Sequence, residues 1–169
     1  MDTMDDTQPA LPADRFVGRE RFRERIRQAL AEAARARWRE LVLSDADFAD
    51  WPLDEREVVQ SLTRWAATGA GTLTLLAVQY DTVQRQFPLL RRWRQQYAHR
   101  ISCRLVAQEH AGDLPSALWS PAWTLVRYNL RQSSGACGPD PQRRQLLRGW
   151  LDDWLDASTP GFPADTLGL

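Results

Sequence analysis

The sequence predicts an α/β domain with a mainly parallel sheet, helices on both faces and a late antiparallel edge strand pair. Three observations predict it. Short apolar runs at 40–44 (ELVLS), 72–78 (TLTLLAV) and 101–107 (ISCRLVA) show little alternation, as strands buried on both faces do. Segments with apolar residues at helical spacing separate these runs, so successive strands require crossovers and lie parallel. At 169 residues the chain suits one domain, and such a domain buries roughly 70% of its extended-chain surface.

The elements follow in order. Residues 1–14 carry four Asp, two Pro and no basic residue before Arg15, and read as a flexible acidic leader; 15–169 form the single domain. From Gly18 to Arg37, Phe22, Ile26, Ala29, Leu30 and Ala33 mark one helix face. Its arginines alternate with Glu20 and Glu24, which suits a solvated face with i,i+4 pairs. The first strand, 40–44, leads into an acidic turn. Asp54 and Glu57 then have capping-box spacing before the stripe Val58, Val59, Leu62, Trp65 and Ala66, and Gly69 ends that helix. After the strand at 72–78, Asp81 is placed to cap a helical segment that Pro88 breaks or restarts, with Val83, Phe87, Leu90, Trp93 and Tyr97 facing inward.

Beyond the strand at 101–107 the style changes. ALWS and AWTLVRYNL, separated by Pro121, read as the edge pair. The loop QSSGACGPD, 132–140, reads as a plain connection. Asp140 and Pro141 begin a final helix whose apolar face is Leu146, Leu147, Trp150, Leu151, Trp154 and Leu155. The tail STPGFPADTLGL reads as extended, packed by Phe162 and Leu167.

Composition removes several chemistries. All 22 basic residues are Arg and they balance 22 acidic ones, so no global field recruits nucleic acid, which is not expected as a partner. Without Lys there is no Schiff base and no phosphate-loop lysine. Cys103 and Cys137 lack CxxC spacing, so neither a disulfide framework nor a zinc site is signalled, and reduced thiols suit a cytoplasmic protein. The acidic stretch MDTMDDTQPALPAD lacks the basic and apolar regions of a signal peptide, so none is expected, and with no apolar run of about 20 residues no membrane association is expected. No metal or cofactor is expected.

Taken together, FVGRERFRERIRQAL, ELVLSDADFADWPL and LTLLAVQYDTVQRQFPLLRRWRQQYAHRISCRL resemble an uncharacterised bacterial domain family, found alone or appended to GNAT-type acyltransferases. The resemblance covers residues 15–169, including the closing TLGL. That family is similar to the phospholipase D-like fold, in which an HxK pair, with an Asp a few residues on, forms half of an active site. The comparable stretch here, ALWSPAWTLVRYN, contains no His, Lys or Asp, so no residue of that motif carries over. The resemblance implies a phospholipase D-like domain without catalytic machinery, an accessory role, and pairing of two copies.

Asp45, Asp47 and Asp50 follow the first strand directly, and ligands of open α/β sheets collect beyond strand carboxyl ends. LVLSDAD also resembles the DxD of haloacid dehalogenase-like phosphotransferases and of nucleotide-sugar glycosyltransferases, which implies a Mg²⁺-dependent phosphotransfer or hydrolysis through Asp45 and Asp47. The late Lys of the former is missing, and the pair Asp152/Asp153 lies inside an amphipathic helix. Turn formation and helix capping by Asp50 or Asp54 is the plainer reading.

Arg19 and Arg127 complete the candidate binding residues. A third function class, phosphate or nucleic-acid binding, rests on Arg19, Arg23, Arg27, Arg91, Arg92 and Arg94. His99 is four residues from Cys103, but Cys103 alternates with Ile101 and Leu105 on a buried strand, where a thiol is inert. Surplus apolar helix faces around Trp93/Tyr97 and Trp150/Trp154 make a homodimer or another protein the candidate partner. The leading expectation is a non-catalytic binding or interaction module.

Overall fold

A computed structural model describes residues 10–69 and 71–163. In chain order the elements are β1 (Asp14–Phe16), α1 (Arg19–Ala36), β2 (Glu40–Ser44), α2 (Arg56–Ala67), β3 (Thr72–Ala77), α3 (Asp81–Gln86), α4 (Pro88–Gln96), β4 (Ile101–Leu105), β5 (Ser116–Trp119), β6 (Thr124–Asn129), β7 (Ser134–Gly138), α5 (Pro141–Asp156) and β8 (Thr159–Pro160). The strands form one eight-stranded sheet in the order β1-β7-β6-β5-β2-β3-β4-β8.

The α/β class holds, but the sheet is mostly antiparallel rather than mainly parallel. Only β2–β3 and β3–β4 run parallel, with Leu41 opposite Leu73 and Leu75 opposite Cys103. Every other pairing is antiparallel. The cause lies in the connections. The four residues between β5 and β6, and the four between β6 and β7, span a hairpin but not the long crossover that parallel neighbours need.

The β5–β6 pair forms as the sequence suggests, but it is not an edge. β5 docks on β2, while β7 and β1 continue the sheet beyond β6. The expected connection at 132–140 contains β7. Its SGACG sequence has none of the branched or aromatic residues that mark strands, and the small side chains are required by close approach to β6. A Cβ at Gly135 would sit 1.9 Å from the Val126 carbonyl oxygen.

The two faces are covered unequally. Against one, α1 to α4 build a core from Phe22, Ile26, Leu62, Trp65, Leu90 and Trp93 over Leu41, Leu43, Leu73 and Leu75. On the other, α5 alone buries Leu147 and Leu151 against Val42, Leu76 and Ala117. The face predicted for α5 is thus only partly used: Leu146 and Trp150 are exposed.

Of the expected leader, residues 1–9 lie outside the described residues. Before the expected boundary at Arg15, Leu11 packs on the core, the Trp123 indole donates to the Pro12 carbonyl (2.8 Å) and Asp14 pairs with β7. Phe162 is buried and stacks on Tyr80, whereas Leu167 lies outside the described residues. The capping box at Asp54 and Glu57 does not form. Asp54 instead accepts from the Leu89 and Leu90 amides (2.8 and 3.1 Å), capping α4 from across the fold. Among the described residues no helix is long and apolar enough to cross a membrane.

Candidate functional site

β2 ends at Ser44, whose hydroxyl donates to the Pro115 carbonyl (2.6 Å) and ties the strand end to the start of β5. The chain then turns on Asp45. One carboxylate oxygen accepts from the amides of Asp47 (3.2 Å) and Phe48 (2.8 Å), a turn that short polar side chains stabilise. Phe48 adopts φ 61°, uncommon for a bulky side chain, and is held there by complete burial and an edge contact with Trp51 at 5.2 Å.

The second oxygen of Asp45 accepts from Arg127 Nη2 at 3.1 Å. Arg127 projects from β6, and its remaining nitrogens are engaged as well. Nη1 donates to Asp50 and to the Ser133 hydroxyl, and Nε donates to the Ser116 hydroxyl, each at 3.1 Å. The guanidinium lies 4.3 Å from the centre of the Phe22 ring. The Arg127 and Asp45 side chains are only 3% and 5% exposed. Asp50 reaches outward to Arg19 at 3.6 Å, which adds a solvent-facing ion pair to the buried one.

Four of the five candidate binding residues therefore meet: Asp45, Asp50, Arg127 and Arg19. Asp47 does not join them; its carboxylate accepts from the Ala49 amide at 3.0 Å within the turn. With both Asp45 oxygens engaged, a cation shared by Asp45 and Asp47 would have to displace Arg127. Phe48 and Trp51, both fully buried, meet edge-on just beyond this strand end.

The arginines offered for phosphate are scattered and largely engaged. Arg23 and Arg27 grip Glu55, with Arg27 Nε at 2.6 Å, so the α1 arginines fasten α2 rather than face a ligand. Hydrogen bonding from Arg27 holds the Glu55 carboxyl below its ordinary range. Arg94 is buried and donates to the Phe162 carbonyl, and Arg91 donates to Gln84. Cys103 lies in the core, where burial pushes its thiol up to about 11. A buried neutral thiol is a poor nucleophile.

A different concavity lies beside α5. A cleft of about 150 Å³ is bounded by Val126, Tyr128, Leu146, Trp150 and Arg143. It continues over Ala136 into a shallower hollow bordered by Arg15 and Val17. Here the sheet extends past the edge of α5, leaving Tyr128 70% and Leu146 68% exposed. Sequence periodicity assigned Leu146 and Trp150 to the core because it reports an apolar stripe, not the width of sheet beneath it. The surplus apolar face read around Trp150/Trp154 is the sequence signal for this surface, whereas the β7 side of the cleft is hidden by that strand's small residues.

No family model matches the chain, and no curated protein matches it. Among solved structures the chain is similar to TrmBL2, an archaeal chromatin protein whose structure is described as showing a novel mode of DNA binding. The TM-score is 0.65 at 10% identity, over 93% of this chain and 57% of that one. The chain thus spans a little over half of that protein's length, and at this identity the likeness is one of fold.

Proposed function

We propose that the chain is a non-catalytic binding or interaction module, phospholipase D-like in fold, that serves as an accessory domain of the kind appended to acyltransferases. The observation that carries this reading is the saturation of the strand-end carboxylates. Asp45 is sealed by Arg127 and two backbone amides, so the acidic turn works as a fastener of the fold. The β5–β6 stretch that resembles the HxK region supplies Arg127 to that fastener and contains no His or Lys. Exposed apolar side chains, Tyr128, Leu146 and Trp150, lie together beside α5, which supports an interaction surface there.

Titration with Mg²⁺ followed by NMR tests it. The expected outcome is silence at Asp45 and Asp47 at millimolar metal, together with no phosphomonoester turnover. Shifts at both turn carboxylates, or Mg²⁺-dependent turnover lost in Asp47→Asn, would establish the alternative, a Mg²⁺-dependent phosphotransferase or hydrolase.

A second reading, polyanion binding through arginine, draws on the likeness to a DNA-binding chromatin protein and on Arg15 and Arg143 at the rim of the α5 cleft. It requires binding to duplex DNA that weakens steeply with salt. Binding unaffected by salt, or absent, removes it.

A further inference from the structure

Among the described residues five large apolar side chains are exposed, and four of them, Val17, Tyr128, Leu146 and Trp150, border the cleft beside α5 and the hollow that adjoins it. Apolar residues scattered singly are ordinary on a surface, whereas apolar residues gathered on one face favour a partner.

The sheet register lays out the floor. Arg15 lies opposite Ala136, and Ala136 opposite Val126, so the three side chains stand in a row on the α5 side of β1, β7 and β6. With strands about 4.8 Å apart, Arg15 is about 10 Å from Val126. Only the methyl of Ala136 rises between them. Arg143 borders both concavities from α5. Neither guanidinium is neutralised: Arg15 makes no side-chain ion pair among the described residues, and Arg143 approaches only Asp140, at 4.0 Å, whose carboxylate already caps α5 through the Gln142 amide.

Size and charge together select the occupant. A cleft of about 150 Å³ is well below the roughly 300–1,000 Å³ that encloses a drug-sized ligand, but it accepts one apolar side chain. The adjoining hollow, about 510 Å³ and shallow, suits an extended chain laid across the sheet face. Two guanidiniums balance one or two carboxylates. A nucleic-acid strand needs a continuous basic groove, and the next basic residues of α5 are engaged: Arg144 with the Pro139 carbonyl, Arg148 with Glu40 and Asp152.

We propose that this surface docks an acidic linear segment of another protein, with one apolar side chain in the cleft between Tyr128, Leu146 and Trp150 and carboxylates on Arg15 and Arg143. An extended chain advances about 3.3 Å per residue, so a carboxylate about three residues from the apolar anchor meets Arg15, and one beside the anchor meets Arg143. The inference rests on the reading of the chain as an interaction module and names the chemistry of its partner.

Amide NMR titration of the full chain with the capped peptide Glu-Gly-Ala-Phe-Glu tests it. Saturable shifts are expected at Tyr128, Ala136 and Leu146, with a dissociation constant under about 1 mM. Replacing the peptide's Phe by Ser should weaken binding at least about tenfold, and replacing both its Glu by Lys should do the same. Arg15→Glu combined with Arg143→Glu should reverse the charge preference, with thermal unfolding as the check that the variant is folded. The milder Arg15→Gln and Arg143→Gln should each weaken the acidic peptide about threefold. Absence of shifts at millimolar peptide overturns the proposal, as do equal binding of the acidic and basic peptides and indifference to the arginine substitutions. Tighter binding of free 3-phenylpropionate assigns the cleft to small acids, and tighter binding of an oligothymidylate of about eight nucleotides assigns it to nucleic acid; either removes the peptide. Silence to both peptide and Mg²⁺ removes this docking surface alone. Mg²⁺ signals at Asp45 and Asp47 remove the module reading whatever the peptide does.

Discussion

Arg127 joins β6 to two carboxylates that lie 82 and 77 residues away along the chain. Removing one member of a buried ion pair leaves the other uncompensated, which costs about 3–5 kcal/mol. Arg127→Met should therefore destabilise the fold by about that much in urea unfolding, and adding Asp45→Asn should recover part of the loss. Additive losses would mean that the pair is not coupled. Asp50→Asn should cost no more than about 1 kcal/mol, because its carboxylate is half in solvent and water replaces what Arg127 loses. The thiol of Cys103 gives a pH signature of defined sign. Burial raises its folded value to about 11 from 9.0, so above pH 9 the unfolded chain loses its proton first. The contribution is neutral below pH 9 and destabilising as pH rises from 9 to 11. Native protein at pH 8 should react with a thiol reagent at this position only on unfolding.

Elements were legible where their signals are local and hidden where their partners are not. The run ELVLS at 40–44 coincides with β2, and the helix start at Asp140 and Pro141 holds, with Asp140 accepting from the Gln142 amide at 3.0 Å. β7 was missed because its composition answers to β6 and not to strand propensity. Gly135→Ala should cost about 2–3 kcal/mol, the scale of overpacking, since the new methyl would collide with the Val126 carbonyl. A loss below about 0.5 kcal/mol, the range of neutral surface changes, would show that β7 can move away. Asp54 offers a second case. Its spacing to Glu57 suits a cap on the next helix in sequence, yet it caps α4 by accepting from the Leu89 amide, 35 residues further on.

At the level of the whole molecule, stability should be graded across the sheet. β2, β3 and β5 contribute side chains both to the core under α1–α4 and to the core beneath α5, whereas β1 and β8 are short edge strands. Amide hydrogen exchange should be slowest at Leu41–Leu43 and Leu73–Leu75 and fastest at Arg15 and Thr159; uniform protection would contradict this division. The same asymmetry produces the α5 surface, because one helix cannot cover a face that elsewhere takes four.

Helical periodicity marked the helices, unbroken apolar runs marked β2, β3 and β4, and the helices between those runs required their parallel pairing, because these signals lie within short stretches of chain. The absence of Lys and of an HxK pair also removed whole chemistries before any geometry was known. Where β5, β7 and β1 pair, which guanidinium closes on Asp45, and which side of α5 meets water were decided only by tertiary structure. These depend on contacts between distant segments, and no local pattern records whether an apolar stripe finds enough sheet beneath it.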